Sequence, residues 1–147
     1  MAVRIICRAI VIDQENAKVL LVRNAGQSFW YPPGGGWEAE QESVLECVVR
    51  ETFEEAKIKI CPVRLLYVQE FRPDNQDIHL ELFWLANPIS ETEIKDIHDP
   101  HGIVEEARWF SHEDLHSMVV YPKRIKEQFW HELGSMLTSP NPFLKKE

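Results

Sequence analysis

Apolar positions along the chain follow two periods, and the switch between them marks the elements. Val3 to Asp13 is rich in Val and Ile and reads as a strand, with Lys18 to Asn24 as its hairpin partner. Asp13-Gln14-Glu15-Asn16 supplies turn chemistry between them. Phe29 to Tyr31 suits a short strand ending at Pro32-Pro33-Gly34-Gly35-Gly36, where the prolines forbid helix and the glycines predict a tight turn. From about Gln41 to Lys57 the period becomes helical, with Leu45, Val48, Val49, Thr52 and Ala56 on one arc.

Residues 58 to 71 read as extended, and Pro73-Asp74-Asn75-Gln76 as a polar turn. Ile78 to Ala86 is a strand in which Leu80, Leu82 and Trp84 alternate with His79, Glu81 and Phe83. A polar loop from Asn87 to Gly102 carries Pro88, Asp96, His98, Asp99, Pro100 and His101. Ile103 to Phe110 is a further strand, and Ser111 to Ser117 a short helix. Tyr121-Pro122 opens a last helix with the stripe Ile125, Phe129, Leu133, Met136 and Leu137. Irregular alternation of strands and helices implies an α/β fold, a mixed sheet with helices on both faces. No linker or internal repeat divides the 147 residues, so one domain, 1–147, is expected.

The formal net charge of −8 sets the whole molecule against a nucleic-acid backbone, so no long nucleic acid is expected as partner. A nucleotide-sized substrate escorted by metal ions fits that charge. Three cysteines, Cys7, Cys47 and Cys61, lack CxxC spacing, and no secretory segment is visible. A reduced, cytoplasmic setting is the expectation. No apolar run approaches the ~20 residues that span a bilayer. Cys47 shares a helical angle with Glu54, within reach of a soft metal. Of the six histidines, only His98 and His101 have ligand-like spacing, without a cysteine, so no zinc site is expected.

The chemistry concentrates in the first helix. At 100° per residue, Glu51, Glu54 and Glu55 fall within roughly a third of the circumference, opposite the apolar arc. Like charges on neighbouring turns repel unless a cation sits among them. Hard oxygen donors at this density suit Mg²⁺ or Mn²⁺ better than zinc.

The wider spacing runs Gly36, five residues, Glu42, seven residues, Arg50-Glu51, two residues, Glu54-Glu55. This resembles the Nudix box of the Nudix (MutT-like) hydrolase family, with every charged position in place. Two positions depart: Thr52 stands where an aliphatic residue is common, and Lys57 where a glycine usually ends the helix. A side chain at such a left-handed position costs about 1 kcal/mol.

The resemblance implies an α/β/α sandwich with the box as loop, helix and loop. It implies hydrolysis of a nucleoside diphosphate linked to a group X, by water attack on phosphorus. Glu54 and Glu55 would be the principal metal ligands, Glu51 would complete the cluster, and the Gly36 carbonyl would join them. Arg50 would orient Glu51 or a neighbour, and Glu42 would support the shell or fix the loop. For the general base the resemblance leaves Glu105 and Glu106 before Trp109-Phe110, His101, and Glu51.

For substrate contacts, Tyr31 and Trp37 at the mouth of the glycine segment offer rings for stacking, and Arg72 and Lys123 offer cations. Pro73, fifteen positions past Ile58, resembles the pattern of ADP-ribose-cleaving relatives. ADP-ribose, another nucleoside diphosphate sugar and a nucleoside triphosphate all stay open. A homodimer is common in the family. The rival classes are a non-catalytic Nudix-fold nucleotide sensor, and an RNA-cap hydrolase that the acidic charge disfavours.

Overall fold

The computed structural model describes residues 1–74, 76–89, 91–94 and 99–145. Six strands form a sheet: β1 (Val3–Asp13), β2 (Lys18–Asn24), β3 (Gly34–Gly36), β4 (Ile60–Phe71), β5 (Ile78–Pro88) and β6 (Val104–Ser111). Three helices accompany them: α1 (Val44–Ala56), α2 (His112–Leu115) and α3 (Gln128–Thr138), with a 3-10 turn at Lys123–Lys126 before α3. The strand order is β4-β5-β1-β2-β6, with β3 paired to β1 alongside that path.

The sheet is mixed because β1 and β5 run parallel from Val3 opposite Ile78 to Val11 opposite Ala86, while the other pairs are antiparallel. Both strands of the parallel pair are covered on two sides, which explains their near-continuous apolar runs. On one face Cys7, Ala9, Val11, Trp84 and Ala86 pack against Val48, Cys47 and Ala56 of α1. On the other, Ile10, Ile12, Phe83 and Leu85 pack against Leu115, Ile125 and Phe129. Among the described residues no helix is long and apolar enough to cross a membrane.

Three expectations change. The glycine segment is not a turn: Gly34, Gly35 and Gly36 form a strand in register with Arg8, Cys7 and Ile6. A Cβ at Gly34 would run into the Cys7 carbonyl, so only glycine lets the two backbones approach this closely. Residues 30 and 31 make single bridges, Tyr31 to Val22 and Trp30 to Val120, rather than a strand. The last helix is broken at Glu127, where φ is −138° and ψ −68°, so its stripe is shared between the 3-10 turn and α3. Asn75, Asp96 and His98 lie outside the described residues.

Helix α1 begins later than its apolar period suggests, because its cap is polar. The Ser43 hydroxyl accepts the Glu46 backbone N–H at 3.2 Å, and the Glu46 carboxylate accepts the Ser43 N–H at 2.9 Å. This reciprocal box satisfies two N–H groups that the helix itself leaves unpaired. At the other end Lys57 adopts φ 59°, ψ 26°, and its N–H donates to the Phe53 carbonyl at 2.9 Å. The helix therefore ends in the left-handed conformation a glycine would favour, with lysine in its place.

Candidate active site

The carboxylates of α1 do not form a solvated face. Glu51 and Glu55 are only 7% and 8% exposed, buried even though they lie opposite the apolar arc of the helix. They face β3, which covers what would otherwise be the outer side of the helix. The Gly34 N–H donates to Glu55 Oε1 at 2.9 Å. A Cβ at Gly35 would stand 2.5 Å from the Glu51 carboxylate. Absence of side chains on β3 therefore makes room for two carboxylates beneath the strand.

Arg50 is the cation among them. Its Nε and Nη2 donate to the two oxygens of Glu42 at 2.7 and 2.8 Å, a bidentate pair. Its Nη1 reaches Glu51 at 2.9 Å and Glu54 at 3.2 Å. Nη2 also stands 3.5 Å from the Gly36 carbonyl oxygen. One guanidinium thus ties the loop at Glu42 to two carboxylates of the helix, a geometry that a lysine ammonium lacks.

The electrostatics follow from this arrangement. The Arg50 guanidinium holds the Glu42 carboxyl down to about 2. Burial pushes Glu55 up to about 8, against the N–H of Gly34 and the charge of Arg8, which favour the carboxylate. Burial likewise raises Glu51, against the charge of Arg50. Two acids are therefore under-compensated, and a further cation between them and Glu54 would relieve the strain. The Gly36 carbonyl and the carboxylates of Glu51, Glu54 and Glu55 are hard oxygen donors of the kind that could hold Mg²⁺ or Mn²⁺. Cys47, which the helical angle sets near Glu54, instead turns its thiol to the Gly36 carbonyl, 3.6 Å away, and is fully buried.

Around this cluster the other candidates separate. His101 comes close, its Nε2 3.8 Å from Glu54 Oε2. It is carried there by Asp99, whose buried carboxylate accepts the N–H groups of His101, Ile103 and Val104. Burial works against the Asp99 charge, and those three donors hold its carboxyl below the usual range all the same. Glu105 and Glu106 are engaged elsewhere: both pair with Arg23 at 3.1 Å, and Glu106 also pairs with Arg108. Trp37 lies against the α1-side core, and its indole N–H donates to the Glu42 carbonyl at 3.0 Å. It anchors the loop. Arg72 sits in an exposed pair with Glu70 at 2.7 Å.

Tyr31 borders a cleft of about 640 Å³, together with Arg8, Phe29, Phe71, Phe83, Tyr121 and Lys123. Its hydroxyl hydrogen-bonds to Asn24, and the Arg8 guanidinium lies 5.0 Å from its ring centre. Arg8 is held by Glu81 at 2.7 Å and by the Pro32 carbonyl at 3.1 Å. Burial raises the Tyr31 phenol, and the Glu55 charge adds to the rise, so the cleft wall and the carboxylate cluster are electrostatic neighbours. Sequence reasoning missed Arg8, Glu81 and Asp99. The usable signal was Glu81, a charge set between Leu80 and Leu82 and followed by the apolar run Phe83 to Ala86.

The profile of the NUDIX domain matches residues 4–129. The chain belongs to the Nudix family. Human diphosphoinositol polyphosphate phosphohydrolase 2 is 28% identical to this Nudix hydrolase over 130 residues, spanning 88% of this chain and 69% of that protein. The crystal structure of UDP-X diphosphatase superposes with a TM-score of 0.70 at 21% identity, covering 99% of this chain and 68% of the other. A NUDIX hydrolase from Nitrosomonas europaea gives 0.72 at 18% identity, with 98% and 97% covered. At these identities the superpositions speak for the fold.

Proposed function

We propose that this Nudix hydrolase is a Mg²⁺- or Mn²⁺-dependent pyrophosphohydrolase, and that its substrate is a nucleoside diphosphate linked to a second group. The observation that carries this is Arg50, whose one guanidinium contacts Glu42, Glu51, Glu54 and the Gly36 carbonyl, with Glu55 tied to the same strand through the Gly34 N–H. Glu51, Glu54, Glu55 and the Gly36 carbonyl would hold the ion. When bound, a divalent ion neutralises phosphate charge and acidifies water. The chain's own part is positioning: Arg50 and Glu42 fix the carboxylates, and β3 holds the Gly36 carbonyl 3.5 Å from the same guanidinium. For the proton acceptor, Glu51 and His101 stand at the carboxylate cluster, beside Arg50 and Glu54, whereas Glu105 and Glu106 pair with Arg23 instead.

The cleft supports a nucleoside over the inositol polyphosphates named for the human relative. Phe29, Tyr31, Phe71 and Tyr121 offer ring faces to a base. Of its two cations, Arg8 is already paired with Glu81, which leaves Lys123 for a phosphate. A heavily phosphorylated inositol ring needs a denser cationic wall. ADP-ribose, other nucleoside diphosphate sugars and nucleoside triphosphates all fit this description.

The test is a screen of these nucleotides and of a diphosphoinositol polyphosphate, following monophosphate and phosphate release with and without Mg²⁺. Turnover of a nucleotide that needs Mg²⁺ and is nearly abolished by Glu54→Gln is the expected result. Full activity of that variant would refute the ligand assignment. Tight nucleotide binding with no turnover of any compound would favour the sensor reading instead.

A further inference from the structure

A second group of ligand-type side chains lies at the junction of α2 and α3, outside the carboxylate site. His112 and His116 are one helical turn apart, so their rings share a face, with centroids 5.0 Å apart. The chain returns through the 3-10 turn and brings Glu127 over them. Glu127 Oε2 is 3.2 Å from His112 Nε2 and 3.6 Å from His116 Nε2. The three donor atoms all lie within 4.8 Å of one another. From the next turn His131 reaches the other oxygen, Nε2 to Oε1 at 2.9 Å.

The cluster is held in place. The His112 ring stacks on the indole of Trp130, 5.2 Å between centroids and 12° between planes. That indole is itself fixed, its N–H donating to the Ile125 carbonyl at 2.8 Å. Ordinary hydrogen bonds account for the contacts of His112 and His131 with Glu127. The 3.6 Å approach of His116 to an oxygen already engaged lies beyond hydrogen-bond range. Ligands bound at 2.0–2.1 Å around a tetrahedral ion stand about 3.3–3.4 Å from each other, which matches the two distances to Oε2. Two imidazoles and a carboxylate suit zinc and its neighbours Cu²⁺, Ni²⁺ and Co²⁺ rather than Mg²⁺.

We propose that His112, His116 and Glu127 bind one zinc-class transition-metal ion, with a fourth position open to solvent and His131 orienting the carboxylate. The ion clips α2 to the start of α3. Tyr121, Pro122 and Lys123 lie in the segment between the ligands and line the cleft, so the clip steadies one of its walls. The site is independent of the carboxylates of α1 and would hold its ion whatever the hydrolase cleaves.

The experiment is equilibrium dialysis of the purified protein against Zn²⁺ in millimolar Mg²⁺, with thermal melting and a parallel Co²⁺ titration. Expected are one zinc equivalent, a higher Tm, and the visible absorption of four-coordinate Co²⁺. His116→Gln, an exposed position, should lose the zinc equivalent and the absorption band while keeping the metal-free Tm. His131→Gln should keep the stoichiometry and weaken binding by roughly 10–100-fold, as loss of an outer partner does. Glu127→Gln gives a second check on the ligand set through the Co²⁺ spectrum. The zinc equivalent should survive Glu54→Gln. No zinc on the wild-type protein, unchanged zinc on His116→Gln, or zinc lost only with Glu54→Gln would each overturn the proposal.

Discussion

The Glu55 carboxylate accepts the backbone N–H of Gly34 at 2.9 Å, which ties the last turn of α1 to the strand that leads into Gly36. Through this bond the helix and the carbonyl expected to share an ion keep a fixed separation. Gly34 and the adjacent Gly35 are required for different reasons.

A Cβ on Gly34 meets the Cys7 backbone, which cannot yield without breaking the pairing of β1 and β3. Gly34→Ala should therefore lower stability by about 3 kcal/mol or more in urea unfolding. The three atoms nearest a Cβ on Gly35 all belong to the Glu51 carboxylate, the far end of a side chain. Gly35→Ala should unfold at nearly the wild-type urea concentration, yet need much more Mg²⁺ for activity. Equal losses of stability in the two variants would contradict this division.

Glu55 makes apo stability depend on pH with a definite sign. Its carboxyl titrates at about 8 when folded, against 4.5 for the ordinary glutamate. Below the lower value both states are protonated and its contribution is fully present. As pH rises toward the upper value only the unfolded chain releases the proton, so stability declines across that window by on the order of a few kcal/mol. On the ligand assignment proposed above, saturating Mg²⁺ should stabilise the carboxylate and flatten the decline. Thermal melts in EDTA and in Mg²⁺ across this range check it, and parallel curves would show that Glu55 is not a ligand.

Glu42 has the opposite sign. Its carboxyl is held down to about 2 by Arg50, so its contribution is present above 4.5 and lost as pH falls through the folded value. Glu42→Gln should remove that part of the acid limb. Arg50→Lys should remove it as well, because an ammonium cannot span both Glu42 oxygens and still reach Glu51 and Glu54. It should also lower kcat more than it raises KM, since Arg50 positions the cluster and lies outside the cleft lining. Acid unfolding that is superimposable on wild type in both variants would remove the basis for the pair's role.

Lys57 holds φ 59°, where a Cβ is unfavourable, but its ammonium donates to the Glu54 carbonyl at 3.1 Å and lies 5.5 Å from the Phe53 ring centre. The left-handed cost of about 1 kcal/mol exceeds a contact of this kind at the surface. Lys57→Gly should raise the midpoint of urea unfolding without changing activity. A lower midpoint would mean that the lysine's contacts outweigh its backbone cost.

Legibility in the sequence followed distance along the chain. Glu51, Glu54, Glu55 and Arg50 lie within two turns of one helix, and helical geometry brings them together whatever surrounds them. The burial of Glu51 and Glu55 was not legible, because it depends on β3 lying over the helix. Arg8 and Glu81 are 73 residues apart and meet only through the parallel pairing of β1 and β5. The histidines show both limits at once. Expectation rested on His98 and His101, of which His98 lies outside the described residues and His101 faces Glu54. The i, i+4 pair His112 and His116 was readable in principle, but nothing local announces Glu127 above it.

The sequence by itself determined the five longer strands, the covering of the sheet on both faces and the carboxylate helix with its arginine. Each follows from short-range periodicity and from residue types that permit few conformations. Only the tertiary structure decided that the glycines form a strand, that two of the three glutamates are buried beneath it, and that Arg8 and Tyr31 set a cleft beside Glu55. The physical reason is that burial and charge pairing are properties of neighbours in space. Gly34 and Glu55, 21 residues apart along the chain, and Arg8 and Glu81, 73 apart, become neighbours only once the sheet has closed its register.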